Sequence, residues 1–240
     1  MISVCMATYN GEAFLKKQVD SILSQLSEED ELVVSDDGST DSTIEILKLY
    51  NDSRIKIYNH ESKKNPYYMD SKVARVTYNF ENTLKNAKGD YIFLSDQDDI
   101  WKGNKVKECI SALKNNSLVL TNFSSIDEND TIIEERVQKK CPFRKNNYLN
   151  ILTPPFLGCA MAFRRDLFPK ILPIPESVCI HDLWIGLIAL KYGTVKYIDE
   201  PLFSHRFSSI NTSSYGRKST NPLLMKLKYR FFNFIELCKR

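Results

Sequence analysis

The chain has 240 residues, 42% hydrophobic and 26% charged, with a formal net charge of +3, values that exclude a disordered, fibrous or low-complexity polymer. So small a charge gives no electrostatic footprint for nucleic acid, and no apolar run approaches the roughly 20 residues that cross a bilayer. The length suits one large α/β domain with an extension, and two independent domains are not required.

Ile2 to Ala7 reads as a short buried strand. The chain thus enters a β pattern without a basic n-region or an apolar h-region, which predicts no export signal. Phe14, Leu15, Val19, Ile22, Leu23 and Leu26 recur at helical spacing, and Glu31 to Ser35 (ELVVS) reads as a second strand, giving a βαβ unit. Ser39, Thr40 and Asp41 can cap a helix that buries Ile44, Leu47 and Tyr50, and residues 54–58 (RIKIY) alternate as a third strand. A polar stretch over 59–70 is followed by a helix over 73–88 and the strand Tyr91 to Ser95. After about residue 120 the alternation weakens. Residues 139–155 read as loop, Gly158 to Phe163 as a strand, Asp182 to Tyr192 as a helix, Val195 to Ile198 as a strand, 208–221 as a polar segment and 222–240 as a final helix.

Parallel strands joined by helices make an open sheet that binds ligands at the carboxyl ends of its strands. None of the eight glycines forms a GxGxxG turn or a GxxxxGK[ST] loop, which argues against dinucleotide dehydrogenases and P-loop enzymes. The six cysteines (Cys5, Cys109, Cys141, Cys159, Cys179, Cys238) include no CxxC pair and read as thiols in a reducing compartment, not as a zinc site or disulfide framework.

Two strand ends are acidic: Asp36 and Asp37 follow ELVVS, and Asp96, Asp98 and Asp99 follow YIFLS. A single Asp in such a place usually satisfies free backbone N–H groups. Three within four positions, beside a second pair, suit a hard divalent cation, Mg²⁺ or Mn²⁺, shared with substrate phosphates. Such a cation would stabilise a departing diphosphate. Asp98 is the expected direct ligand, Asp96 the contact to a ribose or to the cation's water shell, and Asp99 the cap of a helix beginning near Gly103.

Ser3 to Gly11 (SVCMATYNG), Asp36 to Asp41 (DDGSTD), the DxD triplet Asp96 to Asp98 within SDQDDIW, Gly158 with Cys159, and His181 to Trp184 (HDLW) together resemble the family 2 glycosyltransferases of the GT-A fold. SDQDDIW is most similar to their rhamnosyltransferase-like branch, and the resemblance runs in order from residue 2 to about 213. It implies a mostly parallel, Rossmann-like open sheet flanked by helices: one domain over 1–215, with a nucleotide-sugar half at 1–120 and an acceptor half at 121–215, and a helical tail at 216–240. The implied activity is an inverting, metal-dependent transfer of a hexosyl or deoxyhexosyl group from a nucleoside diphosphate donor to an acceptor hydroxyl. Its setting would be surface polysaccharide or glycan synthesis, in the cytoplasm or at the inner face of the membrane.

The same resemblance implies a nucleotide-sugar site at Ala7, Thr8, Tyr9, Asn10, Asp37, Arg75, Asp96 and Gln97. It implies a metal at Asp98, and an acceptor side at Gly158, Cys159, His181 and Trp184. Asp182 matches the general base, with His181 as second choice; a lone Asp before a helix is otherwise usually an N-cap. The match departs at PLFSHRFSSIN, where relatives often carry Tyr-Arg-x-His. Alignment on Pro201, Leu202 and Arg206 puts His205 at the Tyr position and Ser208 at the His position. The third metal ligand is then either His205 or none.

Two rivals stand. A nucleotidyltransferase would carry a Gly-rich basic phosphate loop, which TYNGEAF lacks; a nucleotide-sugar-binding protein without activity would fit the displaced His but not the intact DxD and Asp182. The tail interleaves Leu223, Leu224, Leu227, Phe231, Phe234 and Ile235 with Lys226, Lys228, Arg230, Lys239 and Arg240. Such a basic amphipathic helix suits an anionic membrane surface, and with it a lipid-linked acceptor, or a dock on the domain or on the second subunit of a homodimer.

Overall fold

Four strands paired in parallel, three of them largely buried and the edge strand half-exposed, make the first half of the sheet. The computed structural model describes residues 1–61, 64–68, 71–207 and 223–240. In it β1 (Ile2–Thr8), β2 (Glu31–Asp36), β3 (Ile55–Asn59) and β4 (Tyr91–Ser95) alternate with α1 (Leu15–Leu23), α2 (Thr43–Leu49) and α3 (Lys72–Asn86). These elements fall within two residues of the boundaries expected for the strands and the third helix. β1 pairs in parallel with β2 on one side and β4 on the other, and β2 pairs with β3. The chain therefore steps outward from β1, then returns to its opposite side, which opens a crevice at the carboxyl ends of β1, β2 and β4.

The second half comprises β5 (Ile100–Trp101), α4 (Lys105–Leu113), β6 (Leu118–Ile126), β7 (Ile132–Glu134), α5 (Asn147–Leu152), β8 (Met161–Arg164), α6 (Phe168–Ile171), α7 (His181–Tyr192), β9 (Val195–Arg206) and α8 (Leu223–Lys239). The sheet runs β3-β2-β1-β4-β8-β6-β9-β5, with β7 on the free side of β6's end. β8 is antiparallel to both β4 and β6 and so joins the halves into one mostly parallel α/β sheet.

Several expectations are corrected here. β6 was not expected, because Thr121, Asn122, Ser124 and Ser125 break its apolar pattern; all nine of its residues are buried, as in a strand covered on both faces. Asn122 Nδ2 donates to the carbonyls of Gln138 (2.8 Å) and Asp199 (3.2 Å), which satisfies the amide where the β6–β9 register shifts. That shift lets β9 pass Pro201 and continue to Arg206, well beyond Ile198. The expected loop over 139–155 contains α5, whose first turn is capped by Asn146 accepting from the Tyr148 N–H. Gly158–Ala160 forms a single 3₁₀ turn, and the strand begins only at Met161. Residues 208–221 of the polar segment, Ser208 included, lie outside the described residues.

α7 carries no polar stripe. Leu183, Trp184, Ile185, Leu187, Ile188 and Ala189 are all fully buried, which makes it a core helix. Gly186 is obligatory within it, since a Cβ there would lie 2.4 Å from the Phe156 ring.

Candidate active site

The turn after β1 is held open by its neighbours. Asn10 adopts φ +48, tolerable for Asn because its short polar side chain bonds locally. Its N–H donates to Ser39 Oγ (2.9 Å), and its Oδ1 accepts from the Thr40 N–H (2.8 Å). The Gln97 amide bonds both sides of Tyr9: its Oε1 accepts from the Tyr9 N–H (2.9 Å) and its Nε2 donates to the Tyr9 carbonyl (3.1 Å). Gln97 thus fastens the β1 and β4 turns together. A Cβ on Gly11 would meet Gln97 Oε1 at 2.5 Å, so a side chain there would displace the Gln97 amide from Tyr9.

The two acids after β2 divide their work. Asp36 accepts from the Gly38 N–H (3.1 Å), the Ser39 N–H (2.7 Å), Ser39 Oγ (2.6 Å) and Thr8 Oγ1 (2.7 Å), which makes it the internal brace of the turn. Asp37 Oδ2 accepts from Arg75 Nη2 (2.7 Å) and Nε (3.1 Å), and the Arg75 guanidinium lies 5.4 Å from the Tyr9 ring centre. Asp37 Oδ1 is buried with no partner among the described residues, while Tyr9 is half exposed at the mouth of the crevice.

The turn after β4 is starved of donors by comparison. Burial, and then the neighbouring Asp99 charge, raises the Asp96 carboxyl to about 6 and the Asp98 carboxyl to about 7. Burial would raise Asp99 as well, but His205, with help from Cys159 and Lys105, outweighs it and holds that carboxyl below the usual range. Asp99 Oδ1 lies 2.8 Å from His205 Nδ1. For the imidazole, desolvation is overcome by Asp99, Asp96 and Asp98, which carry it up to about 9. The pair is a buried ion pair, not the helix cap expected of Asp99; α4 begins at Lys105 with Asn104 before it. Arg206 ties down the rest of the turn, its Nε donating to the Asp98 carbonyl (2.9 Å).

Donor atoms of Asp96, Asp99, Cys159 and His205 all lie within 4.8 Å of one another, and Asp98, the expected ligand, is not in that group. Asp99 Oδ2 and His205 Nε2 are buried without partners among the described residues. The carboxylates fit a hard cation. Asp99, His205 and Cys159 are enclosed, however, whereas Asp96 and Asp98 retain partial exposure to the crevice.

Across the crevice, Asp182 opens α7. Burial first, and then the Asp96 charge against its own backbone hydrogen bonds, brings its carboxyl to about 7; its Oδ1 accepts from the Leu183 N–H (2.7 Å). A Cβ on Gly158 would stand 3.1 Å from His181 Nε2 and 3.6 Å from Asp182 Cβ, so the glycine keeps the space beside these two side chains clear. His181 is stacked on Phe80 at 4.2 Å, and burial drops its imidazole to about 3, which keeps it neutral. Cys159 is wholly buried behind the turn. Trp184 is corrected from an acceptor contact to a core residue: it is fully buried and its Nε1 donates to the Ile171 carbonyl (3.0 Å).

Sequence reading missed Lys105. Fully buried, it donates from Nζ to the Cys159 carbonyl (2.7 Å) and lies 4.3 and 4.2 Å from the Trp101 and Phe203 ring centres. A signal existed: Lys105 shares an i, i+4, i+8 stripe with the buried Cys109 and Leu113, where a lysine is out of place. Gln18, which donates to Ser95 Oγ (2.6 Å) and the Asp96 carbonyl (3.2 Å), left no such mark.

Comparison with known proteins gives one family. The model of Glycosyl transferase family 2 matches residues 3–172. The UDP-Glc:alpha-D-GlcNAc-diphosphoundecaprenol beta-1,3-glucosyltransferase WfgD of Escherichia coli is 34% identical over 83% of this chain and 73% of its own length. The dTDP-rhamnosyl transferase RfbG of Shigella flexneri is 29% identical over 81% of this chain and 68% of its own. Solved structures share the fold. S. aureus TarS 1-349 superposes with a TM-score of 0.64 at 20% identity, over 85% of this chain and 60% of that one. The mannosyltransferase PcManGT from Pyrobaculum calidifontis, in complex with GDP-Man and Mn2+, gives 0.62 at 17% identity, over 99% and 73%. The chain thus spans 60% of the TarS 1-349 chain.

Proposed function

This chain belongs to glycosyltransferase family 2, and from that premise we propose that it moves a sugar, with inversion, from a nucleoside diphosphate donor to an acceptor hydroxyl in polysaccharide synthesis. The observation that carries the reading is Asp182: a carboxylate kept near 7, facing Asp96 across a crevice at the carboxyl ends of β1, β2 and β4. In this reading the acceptor hydroxyl gives its proton to the Asp182 carboxylate as its oxygen bonds the anomeric carbon. The bond from that carbon to the diphosphate breaks on the opposite face, and its electron pair leaves with the diphosphate. His181, neutral and stacked on Phe80, borders the base and takes no part in the proton transfer.

Tyr9 and Asn10, with Ala7 and Thr8 beneath them, receive the nucleoside, and the unpartnered Asp37 Oδ1 accepts from a base N–H. Arg75 fixes Asp37 and flanks Tyr9, a positioning role. Gln97 likewise shapes the pocket through the Tyr9 backbone. The nucleotide half is assigned to 1–120 and the acceptor half, with Gly158 and Asp182, to 121–215.

Asp96 and Asp98 would hold Mn²⁺ or Mg²⁺ where the crevice admits the diphosphate, and a cation bound there neutralises the charge of the leaving group. The Asp99–His205 pair and Lys105 then support the turn from behind. A second placement, at Asp96, Asp99, Cys159 and His205, is favoured by their 4.8 Å grouping. Manganese titration followed by electron paramagnetic resonance separates the two: the first predicts lost affinity in Asp98→Asn, the second in His205→Gln alone.

WfgD and RfbG, by their names, use UDP-Glc and a dTDP-rhamnosyl donor, and WfgD acts on a diphosphoundecaprenol acceptor. A donor panel of UDP-glucose, dTDP-rhamnose, UDP-GlcNAc and GDP-mannose, scored for nucleoside diphosphate release and acceptor-dependent product with and without Mn²⁺, tests the proposal. Binding of every donor without transfer to any acceptor would favour a nucleotide-sugar-binding protein instead.

A further inference from the structure

α8 presents two different faces. Tyr229, Asn233 and Leu237 turn inward; Tyr229 packs with Tyr68, Ala74 and Cys179, and Lys191 Nζ donates to the Leu237 carbonyl (2.7 Å) along α7. Leu223, Leu224, Leu227, Phe231 and Phe234 turn outward, with Leu224 77% and Phe231 59% exposed. At 100° per residue these five side chains, with Cys238 and the partly buried Ile235, fill one arc of roughly 120° that contains no charge. Lys228 and Lys239 border one edge of the arc, Lys226 and Arg230 the other.

α5 extends the same face. Its Tyr148, Leu149 and Leu152 are exposed, and the Tyr148 ring lies 5.5 Å from that of Phe234, so the two helices form one apolar surface. The segment leading into α5 exposes Lys139, Lys140, Arg144 and Lys145, and no Asp or Glu occurs between Glu135 and Asp166. The single acid of α8, Glu236, is engaged with Ser177 Oγ (3.0 Å) and Lys239 Nζ (2.9 Å).

We propose that the joint face of α5 and α8 seats this protein on an anionic lipid surface. A plane of apolar side chains fringed by cations complements acyl chains below a layer of acidic headgroups. A two-fold pair of copies meeting through this face would instead set its cations against their own images. The inner face of α8 packs beside Cys179 and Ile180, immediately before His181 and Asp182, so the seated edge adjoins the acceptor side. A lipid-linked acceptor would then reach the base from the bilayer. This last step rests on the proposed transfer reaction; the seating itself does not.

Vesicle flotation of the full chain is the test. With phosphatidylglycerol-containing vesicles at low salt the protein floats, and with pure phosphatidylcholine or at high salt it stays behind. Leu227→Ser with Phe231→Ser, at exposed positions that leave the fold intact by circular dichroism, lowers partitioning at least about tenfold. Neutralising Lys139, Lys140 and Lys145 to Gln lowers it by on the order of fivefold per charge, on anionic vesicles alone. The idea falls if the wild type ignores both vesicle types or binds them equally. It also falls if sedimentation shows a dimer that the Leu227/Phe231 variant splits, which would give the face to a second copy. Transfer to a short water-soluble acceptor analogue separates this inference from the function on which its last step rests. A protein that floats but transfers nothing loses only the function, and one that transfers but never floats loses only the seat.

Discussion

The turns after β2 and β4 look alike as sequence, each a run of acids behind a buried strand, yet they are physically opposite. In the first, Asp36 is met by two backbone N–H groups and two hydroxyls, and Asp37 by the Arg75 guanidinium. In the second, burial first and then the Asp99 charge push Asp96 up to about 6 and Asp98 up to about 7, and the cationic His205 is taken by Asp99. The number of donors within reach decides which cluster is a finished brace and which still calls for a counter-charge.

The contrast can be broken most severely at the residue facing the crowded turn. Asp182→Asn should cut transfer by roughly 10³-fold while donor binding persists. In the wild type, kcat/KM should rise with pH through about 7 as this carboxyl loses its proton, and a profile flat from pH 5 to 9, on the order of two units either side, would remove Asp182 as base. Next comes Asp98→Asn, expected to lower turnover by about 10²-fold and to raise the Mn²⁺ needed for half-maximal rate; unchanged metal dependence would move the cation elsewhere.

At the Asp36 brace the loss should appear as stability. Asp36→Ala removes the acceptor of four hydrogen bonds and should cost about 2–4 kcal/mol in urea denaturation, with donor specificity retained by the folded fraction. A milder version of that result would show the brace to be redundant. Smallest is Arg75→Gln: the pair with Asp37 is partly exposed, so stability should move by less than about 1 kcal/mol while the donor KM rises a few-fold. A larger stability loss would place Arg75 among the braces as well.

Much of the fold was legible because β1 to β4 are short, apolar and separated by helices of clear period. β6 was not, since its Thr121, Asn122, Ser124 and Ser125 are buried by virtue of partners that lie far away in sequence. The site shows the same split. DDGSTD, SDQDDIW and HDLW announced themselves, whereas the fates of Asp99, Trp184 and Lys105 depended on β9, α6 and the Gly158 turn.

The sequence by itself determined the alternation of strands and helices, the acids at two strand ends and the family, because these rest on local periodicity and contiguous motifs. Only the tertiary structure decided which acids are neutralised, which lysine is buried and which face of α8 stays uncovered. Electrostatic balance and burial are set by neighbours brought together from distant parts of the chain, and no spacing within one segment encodes them.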